Sequence, residues 1–271
     1  MEFWQHCLRC PVCGAPVEKK GNSLFCTGAR PHCFDFAAEG YVHLANAKEA
    51  GGGDDAALIA ARTAFLGGGY YAPFADALTE YLHEVPKGGV AVDAGCGEGY
   101  YTCRFAREGT PVVGFDLSKR GVRTAAKRAT HEALPALFVV AGIFDLPLAD
   151  ASVDAVFSIF APIAENEFLR VLKPGGLLIA AGAGPDHLLG MKRVLYEEPR
   201  RNTPRVDLPR VLRLTAEKTV RFDMELPKEA VANLFAMTPY YYRTAPSAAR
   251  RLLCLQKLKT EAEMEIRVYQ K

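Results

Sequence analysis

Long hydrophobic runs and an excess of one charge are both missing from this 271-residue sequence. The formal net charge is only +2, with 33 Lys and Arg against 31 Asp and Glu, so charge alone does not predict a nucleic-acid partner. No apolar run approaches the roughly 20 residues that cross a bilayer, and the start of the chain lacks the pattern of an export signal. We therefore expect a soluble, cytoplasmic protein without membrane contact.

Cysteine is present but unevenly spread, since five of the eight cysteines lie in the first 33 residues. Such crowding in a chain with no export signal indicates metal rather than disulfides. Cys10 and Cys13 form one knuckle, and Cys26 begins a second turn that contains His32 and Cys33. Two ligands from each of two turns are typical of a closed, structural zinc site. We expect zinc on the three sulfurs, with His32 favoured over Cys33 as the fourth ligand.

The chain divides into a short cysteine-bearing segment and a longer region with an α/β pattern. Glycines at 51–53 predict a linker, so we expect a separately placed zinc-binding module over 1–50 and a second domain over 51–271. In that domain β-branched apolar segments alternate with helical ones, which indicates a doubly wound α/β fold with a parallel sheet. The candidate parallel strands are 90–93, 112–116, 137–141, 153–159 and 177–181, followed by strands at 219–226 and 262–269.

A glycine-rich turn follows the first of these strands. Asp93 precedes Gly95, Gly97 and Gly99, whose backbones can approach a ligand closely next to free helix N-terminal amides. A nicotinamide site would show a different glycine spacing, whereas an aspartate here suits the ammonium group of an amino acid. Asp116 ends the second strand, where a carboxylate can accept ribose hydroxyls. Together they predict a cofactor with methionine and adenosine ends, S-adenosylmethionine. A tight turn beside a solvated aspartate is the alternative.

The same region resembles the class I methyltransferases. The resemblance continues through Asp-Leu-Pro-Leu at 145–148 and Leu-Lys-Pro-Gly-Gly at 172–176. It implies a Rossmann-like methyltransferase domain. Ile-Phe-Ala-Pro at 159–162 differs from the Asn/Asp-Pro-Pro-Tyr signature of enzymes that methylate exocyclic amines, which argues against that chemistry.

A more specific resemblance extends over nearly the full chain. The segments at 32–36, 39–44, 61–66, 184–188 and 237–240, together with the zinc knuckle, resemble the bacterial 23S rRNA guanine-N1 methyltransferases, which include tylosin-resistance enzymes. The resemblance implies methylation of guanine N1 in 23S ribosomal RNA, and a homodimer whose paired modules outline an RNA cleft. The cofactor contacts that it implies are Tyr71, Gly99, Tyr100 and His187. The zinc ligands that it implies are Cys10, Cys13, Cys26 and His32.

RNA contacts and the proton acceptor are less well determined by the sequence. Five arginines at 200, 201, 205, 210 and 213 form a candidate clamp for phosphates, and a solvated loop is an equal alternative. The aromatic run at 240–242 could stack a base or belong to the core. The proton on guanine N1 needs an acceptor, for which Glu165 and Glu167 are candidates that nothing in the sequence separates.

Two other functions share part of this pattern. A small-molecule methyltransferase of the quinone or sterol type has the same motifs at 145–148 and 172–176, but it leaves the zinc module unexplained. A non-catalytic RNA-binding or ribosome-assembly protein would not need an intact turn from Asp93 to Gly99.

The cysteine spacing predicts one tightly held zinc ion per chain. Removing one ligand opens the closed site, and structural zinc contributes roughly 10 to 16 kcal/mol in small modules, so Cys13→Ala should lose the metal. Elemental analysis of protein purified without chelators measures this, with Cys254→Ala, which lies far along the chain, as the control. Zinc-free wild-type protein would contradict the prediction.

Overall fold

A computed structural model describes residues 2–45, 54–203 and 211–271. The predicted linker at 51–53 and two arginines of the candidate clamp, Arg205 and Arg210, lie outside these residues. No helix in the described part of the chain is long and apolar enough to span a membrane.

The N-terminal segment forms a small antiparallel sheet of three strands in the order β1-β2-β3. The strands are β1 (Val17–Lys20), β2 (Ser23–Cys26) and β3 (Cys33–Asp35). The two turns that carry the predicted zinc ligands lie at one end of this sheet, because the first precedes β1 and the second joins β2 to β3.

The main sheet has eight strands in the order β10-β11-β9-β8-β5-β6-β7-β4. Its strands are β4 (Val42–His43), β5 (Ala91–Ala94), β6 (Val112–Asp116), β7 (Ala136–Val140), β8 (Val153–Ile159), β9 (Leu172–Ala183), β10 (Arg213–Pro227) and β11 (Lys257–Gln270). The six strands from β9 to β4 are parallel, and β11 and β10 continue the sheet antiparallel. The five parallel strands expected from the sequence are all present, which confirms the α/β class.

Helices connect these strands and cover both faces of the sheet. They are α1 (Ala56–Gly67), α2 (Ala72–Thr79), a 3-10 helix (Glu80–Glu84), α3 (Tyr100–Arg107), α4 (Lys119–His131), α5 (Glu165–Val171), α6 (Leu189–Leu195), α7 (Lys228–Ala236), α8 (Tyr240–Arg243) and α9 (Pro246–Leu253). Side-chain caps begin two of them: Asp55 accepts from the Leu58 N–H, and Ser118 accepts from the Gly121 N–H. Such caps satisfy helix amides that have no partner within the helix.

The order of the strands creates a crevice between β5 and β8. From β5 the chain proceeds through β6 and β7 toward one edge, and then returns to β8 and β9 on the other side. The connections that leave the carboxyl ends of β5 and β8 therefore diverge. Ligands of open α/β sheets bind at such a switch point.

The N-terminal segment is part of the same body as the α/β domain. Strand β4 pairs with β7 in the main sheet, and Leu8 forms an isolated antiparallel bridge with Leu148. Leu8, Leu24 and Phe168 are all fully buried in one shared hydrophobic core. The structure thus departs from the expectation of a separately placed module, because its residues supply an edge strand and core side chains. The boundary at residue 50 stays a prediction.

Arg170 holds the loop after β7 in the position where it meets the N-terminal segment. Its guanidinium donates to both carboxylate oxygens of Glu167 at 2.6 and 3.0 Å. The other donors reach the carbonyls of Leu146 and Leu148 and the carboxylate of Asp150 at 2.7 to 2.9 Å. A guanidinium with five fixed donors can organise a loop in this way.

The shared core predicts that a small change in the N-terminal segment destabilises the whole protein. Leu8→Ala should lower the free energy of unfolding by about 2 to 5 kcal/mol, because it leaves a cavity at a fully buried position. Denaturant unfolding followed by a probe of the α/β domain measures this, with Val12→Ala, at a 64% exposed position, as the matched control. Unchanged stability of the α/β domain would instead indicate independent modules.

Candidate active site and metal centre

The glycine-rich turn lies at the carboxyl end of β5, directly before α3. Gly95 has φ +85°, and a Cβ atom there would come within 2.7 Å of the Ala161 Cβ, in the turn that follows β8. Gly99 has φ +76°, and a Cβ atom there would meet the Ala125 Cβ at 2.5 Å. Glycine is therefore required at both positions, by backbone conformation and by space.

Asp116 holds this turn from the end of β6. One carboxylate oxygen accepts from the Gly97 N–H at 2.9 Å, and the other accepts from the Ser118 N–H at 2.7 Å. Each oxygen has a second lone pair, so the carboxylate can still accept ribose hydroxyls as the sequence predicts. Burial raises the pKa of Asp116.

Asp93 lies below the turn and is buried almost completely. Its carboxylate accepts from the Thr102 hydroxyl at 2.5 Å. Burial, reinforced by the nearby charges of Asp116 and Glu98, raises the pKa of Asp93 to about 7. Carboxylates gathered in this way favour a cationic ligand, since a positive charge would stabilise their ionised forms.

Two buried polar atoms beside the turn have no hydrogen-bond partner within the described residues, namely Glu98 Oε1 and the Tyr101 hydroxyl. Glu98 is 1% exposed, and its other oxygen accepts from the Tyr100 N–H at 2.9 Å. Buried polar groups are rarely left unsatisfied. The ammonium group at the amino-acid end of S-adenosylmethionine can donate to a carboxylate oxygen such as Glu98 Oε1, so the residues present suit that cofactor.

Tyr71 and His187 form a second part of the site, 3.2 Å apart between the hydroxyl oxygen and Nε2. His187 Nδ1 accepts from the Glu263 backbone N–H at 3.3 Å, and burial lowers the pKa of His187 to about 4. The ring is therefore neutral, carries its proton on Nε2 and donates to Tyr71. Both side chains lie near Phe160, in the same turn as Ala161, which brings them to the side of the crevice opposite Asp116.

The predicted zinc ligands converge at the two turns of the small sheet. The donor atoms of Cys10, Cys13, Cys26 and His32 all lie within 4.8 Å of one another. The Cys13 and Cys26 sulfurs are 3.7 Å apart, and His32 Nδ1 lies 3.4 Å from the Cys26 sulfur and 3.6 Å from the Cys10 sulfur. A tetrahedral zinc ion with sulfur ligands at roughly 2.3 Å requires edges of about 3.8 Å. The donor set thus fits zinc in type and spacing.

Cys33 points away from this cluster. It is exposed on β3, and its sulfur lies 3.8 Å from a carboxylate oxygen of Asp35. The His32 backbone N–H instead donates to the Cys26 sulfur at 3.0 Å. Hydrogen bonds of this kind stabilise thiolates, and the pKa of Cys26 is lowered to about 6, with the His32 backbone as the main cause.

Comparison with known proteins shows which family combines a methyltransferase domain with a zinc ribbon of this kind. A family model described as "Methyltransferase domain" matches residues 92–180, and a zinc-ribbon model described as "RlmA, N-terminal" matches residues 8–49. The 23S rRNA (guanine(748)-N(1))-methyltransferase of Streptomyces fradiae is 33% identical over 258 residues, which cover 90% of this chain and 89% of the relative. The chain belongs to the 23S rRNA (guanine-N1)-methyltransferase family.

Two further relatives have the same extent of similarity. A candidate enzyme of this family from Micromonospora griseorubida is 35% identical, covering 89% of this chain and 88% of its own. Another, from Bacillus subtilis, is 33% identical and covers 93% and 92% of the two chains. As a member of this family the chain is an S-adenosylmethionine-dependent methyltransferase with a class I domain and a zinc ribbon, as the resemblance implies.

The structure shows which of the candidate residues for RNA contact already have partners and which are exposed. Arg201 pairs with Asp186 at 2.8 Å, and Arg213 donates to the Gln270 side chain, so both side chains already have partners. Tyr241 and Tyr242 are 51% and 67% exposed. A cavity of about 650 Å³ also opens between the ribbon and the loop after β7, with Arg9 among its lining residues.

Three residues of this family member's site were not singled out from the sequence: Arg62, Glu98 and Phe160. Arg62 pairs with Asp54 at 2.6 Å, and its guanidinium lies 3.0 Å from where a Cβ of Gly97 would be. Glu98 has the orphaned oxygen described above. Glu98 lies between the motif glycines, Arg62 lies in the segment 61–66 and Phe160 in the segment 159–162, but these patterns do not separate the three residues from their neighbours.

The raised pKa of Asp93 predicts a pH-dependent stability for this methyltransferase. In the folded state Asp93 keeps its proton up to about pH 7, whereas in the unfolded state an aspartate loses it near pH 4. The free energy of unfolding therefore falls as the pH rises between these two values. Asp93→Asn removes this ionisation. The free energy of unfolding of the variant, relative to that of wild type, should therefore be roughly 2 to 4 kcal/mol higher at pH 8 than at pH 4. Unfolding of cofactor-free protein at both pH values tests this. Exposed Asp223→Asn is the control, and parallel pH profiles for wild type and Asp93→Asn would refute it.

Proposed function

We propose that the chain transfers the methyl group of S-adenosylmethionine to N1 of a guanine in 23S ribosomal RNA. The observation that carries the proposal is similarity over about nine tenths of the chain to enzymes named for this reaction, including both the ribbon and the methyltransferase domain. A methyltransferase of small molecules would leave the ribbon, which is built into the core, without a role.

The cofactor site comprises the residues around the switch point. We assign Asp93 and Glu98 to the ammonium group of the cofactor, and Asp116 to the ribose hydroxyls. The remaining predicted contacts are Tyr71, Gly95, Gly97, Gly99, Tyr100 and His187. When bound, S-adenosylmethionine supplies an electrophilic methyl group on a sulfonium sulfur. Because the His187 ring is neutral, it adds no positive charge to the site.

Guanine N1 carries a proton that must leave as the N1–methyl bond forms. Of the two candidate acceptors, Glu167 is already engaged, since it pairs with Arg170 and accepts from the Leu146 N–H at 2.6 Å. Glu165 begins α5, in the connection that leaves β8 at the crevice, and no ion pair to it occurs within the described residues. We therefore favour Glu165 as the acceptor, with positioning of the base supplying most of the rate acceleration.

The zinc ion is proposed to be structural. Cys10, Cys13, Cys26 and His32 provide four protein ligands, which close a tetrahedral zinc and leave no position for catalysis. The ribbon then presents a shaped surface beside the α/β domain, and structured RNA is recognised largely by shape and by unpaired bases. A homodimer with paired ribbons and a cytoplasmic location, where ribosomal RNA is modified, complete the proposal.

Methyl transfer to RNA tests the proposed function directly. Purified enzyme with labelled S-adenosylmethionine should label a 23S rRNA transcript and produce N1-methylguanosine. Because an N1-methyl group blocks base pairing, reverse transcription should stop at one guanine.

Asp116→Asn should weaken cofactor binding by about 1 to 3 kcal/mol, since it removes a charged acceptor, while exposed Asp223→Asn should behave as wild type. A product methylated on carbon, ribose or an exocyclic amine, or labelling of small acceptors alone, would exclude this function.

A further inference from the structure

Phe160 has an unusual position for a large apolar side chain. It is the first residue after β8, the residue is 45% exposed, and its backbone has φ +52°. A left-handed backbone is disfavoured for a bulky residue and persists only where the surroundings hold it. A glycine would adopt this conformation without strain, so the turn itself does not require phenylalanine.

The surroundings hold the turn firmly. The Phe160 N–H donates to the Ala181 carbonyl at 2.8 Å. The hydroxyl of Ser158, which is fully buried, donates to the carbonyls of Ala161 and Pro162 at 3.3 and 3.1 Å. These contacts fix the backbone on both sides of Phe160, and therefore fix the direction in which the ring leaves the sheet.

Aromatic side chains support the ring from below. Its centroid lies 6.4 Å from the Tyr71 ring, with the planes inclined by 24°, and 5.9 Å from the His187 ring. Phe74 makes an edge contact at 5.8 Å. Three neighbouring rings thus account for the buried part of the side chain, and the exposed part faces away from the core. The next residue, Ala161, packs against Gly95 of the glycine-rich turn, so Phe160 leaves the sheet one residue from that contact.

We propose that Phe160 is the platform on which the guanine stacks during methyl transfer. The inference rests on the proposed function, because it takes an RNA base as the acceptor. An unpaired base stacks readily on an aromatic ring. A rigid platform beside the methyl donor would restrict the base to orientations in which N1 can reach the methyl group, which is the positioning that this reaction needs. The strained turn, which glycine would relax, is thereby explained by the ring that it displays.

Substitutions at position 160 distinguish the effect of a flat side chain from the effects of side-chain size and of backbone strain. Phe160→Leu keeps an apolar side chain of similar reach and the same backbone demand, but loses the flat face. Phe160→Tyr keeps the flat face. Phe160→Gly removes the ring and relieves the positive φ, so its thermal midpoint should equal or exceed that of Phe160→Ala. All variants are measured as full-length, zinc-loaded protein.

If Phe160 is the platform, the variants should differ in kcat/KM and in base stacking according to whether they keep a flat ring. Stacking on an aromatic side chain contributes enough that its loss should reduce kcat/KM for a 23S hairpin by roughly 10- to 100-fold in the Leu and Gly variants. The Tyr variant should stay within about 3-fold of wild type in kcat/KM, and in the Leu and Gly variants cofactor affinity should fall by much less than kcat/KM. With 2-aminopurine at the target position, wild type and the Tyr variant should quench its fluorescence on binding, and the Leu variant should not.

Three results would overturn the inference. One is an unchanged kcat/KM in the Leu variant, and another is an equal loss in the Leu and Tyr variants. The third is a parallel fall in cofactor affinity, which would assign the ring to the cofactor. If wild type makes no N1-methylguanosine, the proposed function fails instead, and the Leu and Tyr variants can still be compared on the acceptor that is methylated.

Discussion

The close approach of two turns at the switch point of the sheet is the constraint on which the site depends. The turn after β5 must come against the turn after β8, and only the missing side chain of Gly95 leaves room for Ala161. This contact sets the cofactor turn and the Phe160 turn side by side. The two turns are thereby held against each other, which fixes where the residues on each of them lie.

Charge in the site is arranged for a cationic ligand. Asp93, Glu98 and Asp116 are removed from water around one turn, and burial raises the pKa of each of them. Without a ligand these carboxylates oppose one another and their own desolvation, which costs stability. A ligand with positive charge relieves that cost. The His187 ring is neutral and adds no further positive charge to the site.

The ribbon is integrated with the catalytic domain through backbone pairing and a shared core. Strand β4 extends the main sheet beyond β7, while Arg170 fixes the loop that bridges to Leu8. Metal binding and the sheet edge are therefore parts of one packed unit. For an enzyme that must hold an RNA and a methyl donor in register, this arrangement gives the ribbon a fixed distance and angle to the crevice, which a flexible linker would not.

The sequence by itself determined the features that depend on local pattern. Periodic apolar segments identified the parallel strands, the glycines after Asp93 located the turn between β5 and α3, and the cysteine spacing indicated zinc, because each pattern reflects a short-range rule of backbone or ligand geometry. Tertiary structure decided what depends on residues far apart in the chain. It placed His32, and not its neighbour Cys33, among the sulfurs, since strand direction decides which side chain faces the cluster. It also decided that β4 pairs in the main sheet and that Phe160 is exposed, because strand pairing and packing between distant residues leave no periodic pattern in the local sequence.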